Sequence, residues 1–255
     1  MNAVTSLAAN AWTPHATAVL ERAIAYFGGL ETWRSIRTIR LVPKRLSGLV
    51  PRMKGVGRTF PVPTLFEIEP HERVARFVGY PDLEHVGVFQ NGSVRLERHD
   101  GSVVTESPAH RDTFSGPGKA RRWGHLDALY FFGYALTHYH SLPFSLLDAR
   151  LVGTSTAHTR DGVLDVLDVE LPADLPTHGR RQQFYFDSHG RLTRHDYHAE
   201  IIGFWARGAH FWNSQVKVEG FPIALDRYVV ARLGRLRTPL VALHATFHRA
   251  EILTR

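Results

Sequence analysis

The 255-residue sequence contains no cysteine, and this absence excludes two kinds of structure. Neither a disulfide nor a thiolate metal site can form, so packing and hydrogen bonds must hold the fold together. Long apolar runs are missing as well. The longest run, 129–136, falls far short of the roughly 18 residues that a membrane helix needs. We therefore expect a protein that does not insert into a membrane.

Residues 1–11 show neither of the two features by which a secretion signal is recognised. They lack a positively charged start, and no long apolar core follows. On this basis we expect the protein to work in the cytoplasm.

Motifs for nucleic acids and nucleotides are also missing, although the formal net charge of +7 would suit such partners. The arginines are scattered singly, and no zinc-finger, RNP or helix-turn-helix pattern is present. Gly55-Val56-Gly57 lacks the third glycine of a dinucleotide fingerprint, and there is no P-loop. We expect a basic soluble surface, no nucleic-acid partner and no cofactor.

Histidine, by contrast, is abundant, with sixteen residues. His244 and His248 have the spacing of a helical zinc pair, but Ala245 stands where the motif requires glutamate. The segment 241–247 alternates like a strand, which would place the two imidazoles about 13 Å apart. The sequence therefore predicts no metal site.

Two segments predict helices of different kinds. Thr13 and Pro14 suit the start of a helix over 14–28, which Gly28-Gly29 would end. The segment 124–141 has helical propensity and is apolar on nearly every side. A helix without a polar face needs burial all round, so we expect it inside the concavity of a curved sheet.

Most of the remaining chain predicts strands joined by short turns, such as Asn91-Gly92. The segment 101–122 is rich in glycine, proline, serine and basic residues, and predicts a long loop that is either a lid or a disordered connector. Neither an internal repeat nor a shift in composition marks a boundary, so we expect one domain over 1–255. The strands before the long loop are predicted at 38–42, 54–60, 65–69, 74–79 and 85–90.

The stretch 178–199 predicts a β-hairpin with its turn at 188–190. Neighbouring side chains of a strand point to opposite faces, so His195 and Tyr197 share one face. That face is the more apolar, and we expect it to be concave. Asp196 belongs to the other face, where we expect solvent and an ion pair with a surface arginine.

The following strand places His210 and Trp212 on one face, which we expect beside His195 and Tyr197. Two imidazoles and a phenol in an apolar cup would suit acid–base chemistry, with His195 and His210 exchanging protons and Tyr197 donating to an oxyanion. The alternative is structural, namely core side chains satisfied by backbone or water.

The apolar helix offers further candidates for ligand contact. His138 lies one helical turn from Tyr134, whereas His138 and His140 are two residues apart and cannot face one ion together. Both histidines also suit a helix C-terminus, because the dipole there favours a positive charge. The predicted ligand-binding residues are Tyr130, Phe132, Tyr134, His138 and Trp212.

Several motifs spread over most of the chain form one recognisable set. They are Gly28-Gly29-Leu30-Glu31-Thr32-Trp33, the segments 130–136 and 183–187, Pro143-Phe144, His195-Asp196-Tyr197 and Ala209-His210-Phe211. Together they resemble the LolA/LolB-like lipoprotein-carrier superfamily, and most closely an uncharacterised cytoplasmic bacterial branch of it. The resemblance implies an open, strongly curved antiparallel sheet around helices, able to hold an acyl-like ligand. The carriers work in the periplasm, so the expected cytoplasmic location argues against lipoprotein trafficking here.

We predict a mainly β (α+β) fold, in which an incomplete barrel wraps around the buried helix and an N-terminal helix precedes it. The leading functional hypothesis is a cofactor-free enzyme with His195, His210 and Tyr197 as base, acid and oxyanion donor. It would cyclise, isomerise or eliminate from a lipid-, terpenoid- or polyketide-like substrate. The alternatives are a non-catalytic carrier or sensor of a lipophilic ligand, and a concavity that docks a partner's helix. The oligomeric state is left open.

Overall fold

The computed structural model describes residues 12–56, 62–160, 162–234 and 236–255. Its strands form one sheet and are connected in chain order mostly by short turns. Their bounds are β1 (Ile36–Ser47), β2 (Leu65–Glu69), β3 (Val74–Val78), β4 (His85–Gln90), β5 (Ser93–Arg98), β6 (Val103–Ser107), β7 (Arg150–Thr159), β8 (Gly162–Glu170), β9 (Arg181–Phe186), β10 (Leu192–His198), β11 (Arg207–Val218), β12 (Phe221–Leu233) and β13 (Leu236–Thr254).

The sheet consists of two antiparallel meanders that meet in its middle. Strands β1 to β6 lie side by side in chain order, and so do β7 to β13. The first and last strands, β1 and β13, pair antiparallel and join the two halves. Within the described residues no pairing connects β6 to β7, so the sheet stays open. The predicted mainly β, incomplete-barrel architecture is confirmed.

Four α-helices and three short 3₁₀ helices accompany the sheet in the described residues. None of these helices is long and apolar enough to cross a membrane. The α-helices are α1 (Pro14–Tyr26), α2 (Gly29–Ser35), α3 (Leu49–Met53) and α4 (His125–Ser141), and the 3₁₀ helices are His110–Phe114, Gly116–Lys119 and Phe144–Asp148.

Helix α1 starts where the sequence predicts, because Thr13 Oγ1 accepts a hydrogen bond from the backbone N–H of Ala16 at 3.2 Å. The helix ends at Tyr26, two residues before the predicted end at 28. Gly28 follows with φ +89°, a left-handed conformation that glycine adopts without strain. The short helix α2 then leads directly into β1.

Helix α4 is the buried helix that the apolar segment 124–141 predicts, and it begins one residue later, at His125. The Asp127 carboxylate accepts the N–H of Gly124 at 2.9 Å and so caps the first turn. Every residue from 127 to 140 is buried. At Gly133 a Cβ atom would lie only 2.3 Å from the Cβ of Phe89, so glycine permits the close approach of α4 to β4.

The segment 101–122 is not the single long loop that the sequence predicts, and a role as a lid stays a prediction. This segment contains β6, the 3₁₀ helix His110–Phe114 and the 3₁₀ helix Gly116–Lys119. Buried His110 anchors it, because its Nε2 lies 2.9 Å from Oδ1 of Asp127 on α4. The buried Phe114 ring packs against Trp123 at 6.2 Å. Contacts with the central helix therefore order a segment whose composition suggests a loop.

The predicted strand 54–60 is also wrong where the structure describes it. Lys54 follows α3 directly, and its N–H donates to the carbonyl of Val50 at 2.9 Å, which continues a helical turn. The remainder, 57–60, lies outside the described residues.

Candidate functional site

The concave side of the sheet encloses a cavity of about 110 Å³ between α4 and strands β1 and β10–β13. Its walls are mostly aliphatic and aromatic. Exposed Trp205 and Arg207, before and at the start of β11, form a rim at one end, and exposed Arg45 and Val62 also line the cavity. The apolar lining includes Leu46, Phe131, Phe132, Ala135, Leu136, Val229, Ala231, Leu243 and Phe247.

Strand β12 defines the depth of this cavity. Arg227, Val229 and Ala231 alternate along its concave face, and all three line the cavity. Ala231 lies nearest the β12–β13 turn and the rim. Arg227 is the innermost β12 residue of the described lining, and the Phe247 ring lies 5.0 Å from its guanidinium carbon. The cavity therefore has a basic inner end and an apolar passage towards the rim.

The predicted catalytic residues do lie together. His195 and His210 pair across β10 and β11, with ring centroids 5.8 Å apart, and the Tyr197 ring lies 4.7 Å from that of His195. All three side chains are buried. Their shared face confirms the strand alternation that the sequence predicts.

Only two of these three residues line the cavity, namely His210 and Tyr197. The His195 ring is stacked on Phe184 at 4.8 Å, and its Nε2 lies 2.5 Å from Oε1 of Gln182. His195 therefore packs in the layer behind the cavity wall.

Of the five predicted ligand-binding residues, Phe132 belongs to the cavity lining, whereas Tyr130, Tyr134, His138 and Trp212 do not. The positions 130, 134 and 138 are four apart and share one face of α4. The cavity instead meets the face that carries 131, 132, 135, 136 and 139. Trp212 lies against His210, with stacked rings 5.4 Å apart.

A hydrogen-bonded group that the sequence does not reveal centres on His178. Its Nδ1 lies 2.9 Å from the Tyr134 hydroxyl, and its Nε2 lies 2.6 Å from the Tyr139 hydroxyl. The His178 ring is also stacked on Tyr197 at 4.0 Å. Nothing in the local pattern around residue 178 predicts these contacts, because the partners lie on α4, about 40 residues earlier.

Burial lowers the pKa of five imidazoles in this region below the ordinary value of 6.5. Desolvation is the main cause, since it penalises the charged form. Neighbouring positive charges lower several of these pKa values further. The pKa falls to about 4 for His138, to about 3 for His140, and well below 6.5 for His178, His195 and His210. These imidazoles are therefore neutral at pH 7.

Arg227 is the exception in this neutral surrounding. Only 3% of the residue is exposed, and burial lowers the pKa of its guanidinium to about 10, which leaves it charged at pH 7. Its guanidinium carbon lies 5.6 Å from the ring centroid of Tyr139 and 5.5 Å from that of Trp212. Neither Nη1 nor Nη2 has a hydrogen-bond partner among the residues that the structure describes.

The sequence contains a signal for Arg227 that strand parity could have found. In Phe221–Leu233 the residues Ile223, Leu225, Val229 and Ala231 share a face, and Arg227 interrupts that apolar series. A single charged residue on the apolar face of a strand is a candidate for a functional position.

Asp196 faces away from the cavity as predicted, but the expected solvated position is wrong. Its side chain is only 1% exposed. Its Oδ2 lies 2.5 Å from Nη2 of Arg194 and 2.7 Å from Nη1 of Arg232. The same oxygen accepts a hydrogen bond from the Tyr185 hydroxyl at 3.0 Å. The Arg194 guanidinium also covers the Tyr185 ring at 4.4 Å. Arginines and aromatic rings therefore shield this outer face from water.

The clustered histidines do not form a metal-binding group. In the part of the chain that the structure describes, no three side chains of histidine, cysteine, aspartate or glutamate are grouped so that they could hold a metal ion.

No protein family model matches the chain, and no curated protein matches it either. Solved structures are similar at low identity. One is a domain with a predicted role in outer membrane lipoprotein sorting from Vibrio parahaemolyticus, with 11% identity, a TM-score of 0.47, and 98% of this chain and 93% of that chain covered. Another is a LolA superfamily protein from Nitrosomonas europaea, with 9% identity, a TM-score of 0.46 and 93% of both chains covered.

A third similar structure is a DUF1329 family protein from Desulfovibrio piger, with 11% identity, a TM-score of 0.44 and 92% of both chains covered. These likenesses concern the fold. An open antiparallel sheet around a buried helix is the architecture that the resemblance to the LolA/LolB-like superfamily implies, and the strand order itself has this form.

Proposed function

We propose that the protein binds a hydrophobic or amphipathic small molecule in the cavity between α4 and β10–β13, as a non-catalytic carrier or sensor. The observation that carries this proposal is the apolar lining of a cavity whose rim meets solvent. Apolar surface in contact with water is unfavourable by roughly 25 cal/mol for each Å². An apolar ligand would remove both its own surface and that of the cavity from water.

Large apolar side chains at the rim support the same proposal. Phe204 is 86% exposed and Trp205 48% exposed, both in the turn between β10 and β11. Leu233 and Leu236 flank the β12–β13 turn and are 72% and 73% exposed. Antiparallel order brings these two turns to the same end of the sheet. Exposed apolar side chains grouped at one end of a sheet favour a site of interaction, and Trp205 among them lines the cavity itself.

Acid–base catalysis has less support from this geometry. His195 lies behind the cavity wall, out of contact with a ligand. A general acid must carry its proton at the working pH, whereas burial lowers the pKa of His210 well below 6.5. Burial raises the pKa of the Tyr197 hydroxyl, which keeps its proton and so remains compatible with an oxyanion donor, but a donor alone does not supply acid–base chemistry. The cytoplasmic location expected from residues 1–11 stays a prediction.

A neutral fluorescent probe, N-phenyl-1-naphthylamine, tests the cavity directly. We expect its emission to rise on addition of the protein, and 1-decanol to displace it. Ala231→Phe places a ring in the passage towards the rim and should weaken probe binding at least tenfold. Ala157→Phe, on edge strand β7, is the matched control and should leave binding unchanged. Equal binding by both variants would place the probe elsewhere and contradict the proposal.

Mass spectrometry separates retention from turnover. The purified protein is incubated with an organic extract of its host cells, and both the bound and the free fractions are analysed. A compound retained unchanged supports a carrier or sensor. A compound that disappears while a new product forms would overturn the non-catalytic role and favour the enzyme.

A further inference from the structure

We propose that the ligand of this cavity is an amphiphile with a carboxylate head, which binds to Arg227 at the inner end while its apolar tail points to the rim. This inference deepens the proposed function and depends on it. It names the chemical class of the ligand and the direction in which the ligand lies.

The charge of Arg227 has no counterion at the cavity. The described residues that line the cavity include no aspartate and no glutamate. Asp226, the preceding residue of β12, faces the other side of the sheet, where His244 Nε2 lies 3.1 Å from its Oδ1. Buried charges in proteins are normally paired, because an unpaired one loses its hydration without compensation. The missing partner of Arg227 is therefore an anion from outside the described chain.

The aromatic rings around Arg227 do not replace that anion. Tyr139, Trp212 and Phe247 stabilise the positive charge through their π-faces. Their rings offer no oxygen lone pair to the N–H groups at Nη1 and Nη2, which have no hydrogen-bond partner in the described structure. The rings therefore stabilise the charge of Arg227, but the N–H groups of its guanidinium remain without hydrogen-bond acceptors in the described structure.

A further donor lines the cavity near the guanidinium. Both ring nitrogens of His210 are buried and lack hydrogen-bond partners within the described ranges. The neutral His210 ring can donate one hydrogen bond. A carboxylate accepts hydrogen bonds without donating any, and its two oxygens match the fork of a guanidinium. Three arginines line the cavity, but Arg45 and Arg207 are exposed to solvent and Arg227 alone is buried among the described lining residues. One buried cation with a neutral donor suits one monoanion, which favours a carboxylate over a doubly charged phosphate.

The apolar passage fixes the direction of the ligand. From Arg227 towards the rim, β12 contributes Val229 and Ala231, and the paired strand β11 contributes Gly208 opposite Ala231. Arg207 at the rim is exposed and keeps its hydration, so an anionic head placed there would leave the buried Arg227 unpaired and bring a tail against it. A head at the inner end satisfies the charge and places the first part of the tail along apolar walls. The cavity of about 110 Å³ is smaller than a ten-carbon chain, so the end of such a tail lies at the exposed apolar side chains of the rim.

Three probes of matched design test this inference with the full chain: decanoate, 1-decanol and acetate. Isothermal titration calorimetry measures the dissociation constant of each at pH 7. We expect decanoate to bind at least tenfold more tightly than 1-decanol, and acetate to bind far more weakly than decanoate. Arg227→Met should remove the preference for decanoate and keep the binding of 1-decanol. Arg249→Met changes the net charge equally at an exposed position of β13 and should keep the preference.

The outcomes separate this inference from the proposed function. If decanoate and 1-decanol bind equally to the unaltered protein, or if Arg227→Met keeps the preference, the carboxylate head is wrong and the apolar cavity still stands. If neither ten-carbon probe binds, or if acetate binds as tightly as decanoate, the proposed function fails and this inference fails with it. The comparison of probes on the unaltered chain needs no variant, so it holds even if Arg227→Met fails to fold.

Discussion

Two arginines on strand β12 show that the two faces of the sheet differ in how a buried charge is paired. Arg227 and Arg232 lie five residues apart on β12 and therefore on opposite faces. Arg232 is mostly buried and lies 2.7 Å from the Asp196 carboxylate. Arg227 is more deeply buried and has no acidic partner among the described residues. The buried arginine of the outer face therefore has a carboxylate partner, whereas the buried arginine of the inner face has none among the described residues.

Strand β10 shows the same contrast between neighbouring residues. His195 and Asp196 are both almost fully buried, at 0% and 2% exposure. On the inner face, desolvation lowers the pKa of His195 so that the imidazole becomes neutral. On the outer face, two arginines pair with Asp196. A buried ionisable group is stabilised either by becoming neutral or by pairing with an opposite charge. Arg227 keeps its charge at pH 7 and has no acidic partner among the described residues.

We expect the largest effect on the free energy of unfolding from a fall in pH, because protonation of the buried histidines destabilises the inner face of the sheet. The folded-state pKa values of the buried histidines lie below the unfolded value of 6.5, so their contribution to stability is present above pH 6.5. It is lost as the pH falls from about 6.5 through the folded values, which are about 4 for His138 and about 3 for His140. For His138 alone, the lowered pKa corresponds to a loss of roughly 3 kcal/mol from the free energy of unfolding once the pH has fallen below the folded value.

Urea denaturation between pH 7 and pH 4 measures this loss. The five buried imidazoles together should reduce the free energy of unfolding by several kcal/mol over that interval. His138→Gln removes one titrating group, so its curve should be less steep than that of the unaltered protein. A free energy of unfolding that stays constant from pH 7 to pH 4 would contradict the assignment of neutral buried histidines.

We expect the second largest loss of stability from Asp196→Ala, which changes the outer face of the sheet. It leaves Arg194 and Arg232 without their shared carboxylate, and breaking a buried ion pair on one side costs about 3 kcal/mol. Thermal or urea denaturation measures the loss. Asp174→Ala removes an exposed partner of Arg73 and is the matched control, with an expected cost of about 1 kcal/mol or less. Equal losses in both variants would show that the outer cluster behaves as an exposed surface.

Arg227→Met should have the smallest effect and the opposite sign. It replaces an unpaired buried cation by an apolar side chain, so the ligand-free protein should gain about 1 kcal/mol of stability. The aromatic contacts of Arg227 are lost, which keeps the gain small. Arg232→Met is the control on the same strand and should lower the free energy of unfolding. A loss of stability in both variants would show that Arg227 is satisfied within the chain.

Local patterns predict much of the architecture, because each depends on residues close together in the sequence. Alternation along 178–199 predicts the β9–β10 hairpin and the shared face of His195 and Tyr197, and both are present. The all-round apolar character of 124–141 predicts buried helix α4 to within one residue. The order of the strands follows from chain order within each meander.

The remaining features depend on residues far apart in the sequence, and local patterns do not contain them. The burial of Asp196 requires Arg232, which reaches it from a strand two positions away in the sheet. The face of α4 that meets the cavity depends on how the helix rotates against the sheet, and a helix that is apolar all round gives no signal of that rotation. Local patterns therefore do not reveal that Tyr139 lines the cavity, or that His195 lies behind its wall.

The pairing of β1 with β13 sets the order of events during synthesis. Ile36 pairs with Thr254, so the central joint of the sheet unites the earliest strand with the latest. On the ribosome, strands β1 to β6 and helix α4 are present long before β13 has been made. The seam can close only after translation of the strand that also carries Phe247, so the inner wall of the cavity cannot form before β13 has been synthesised.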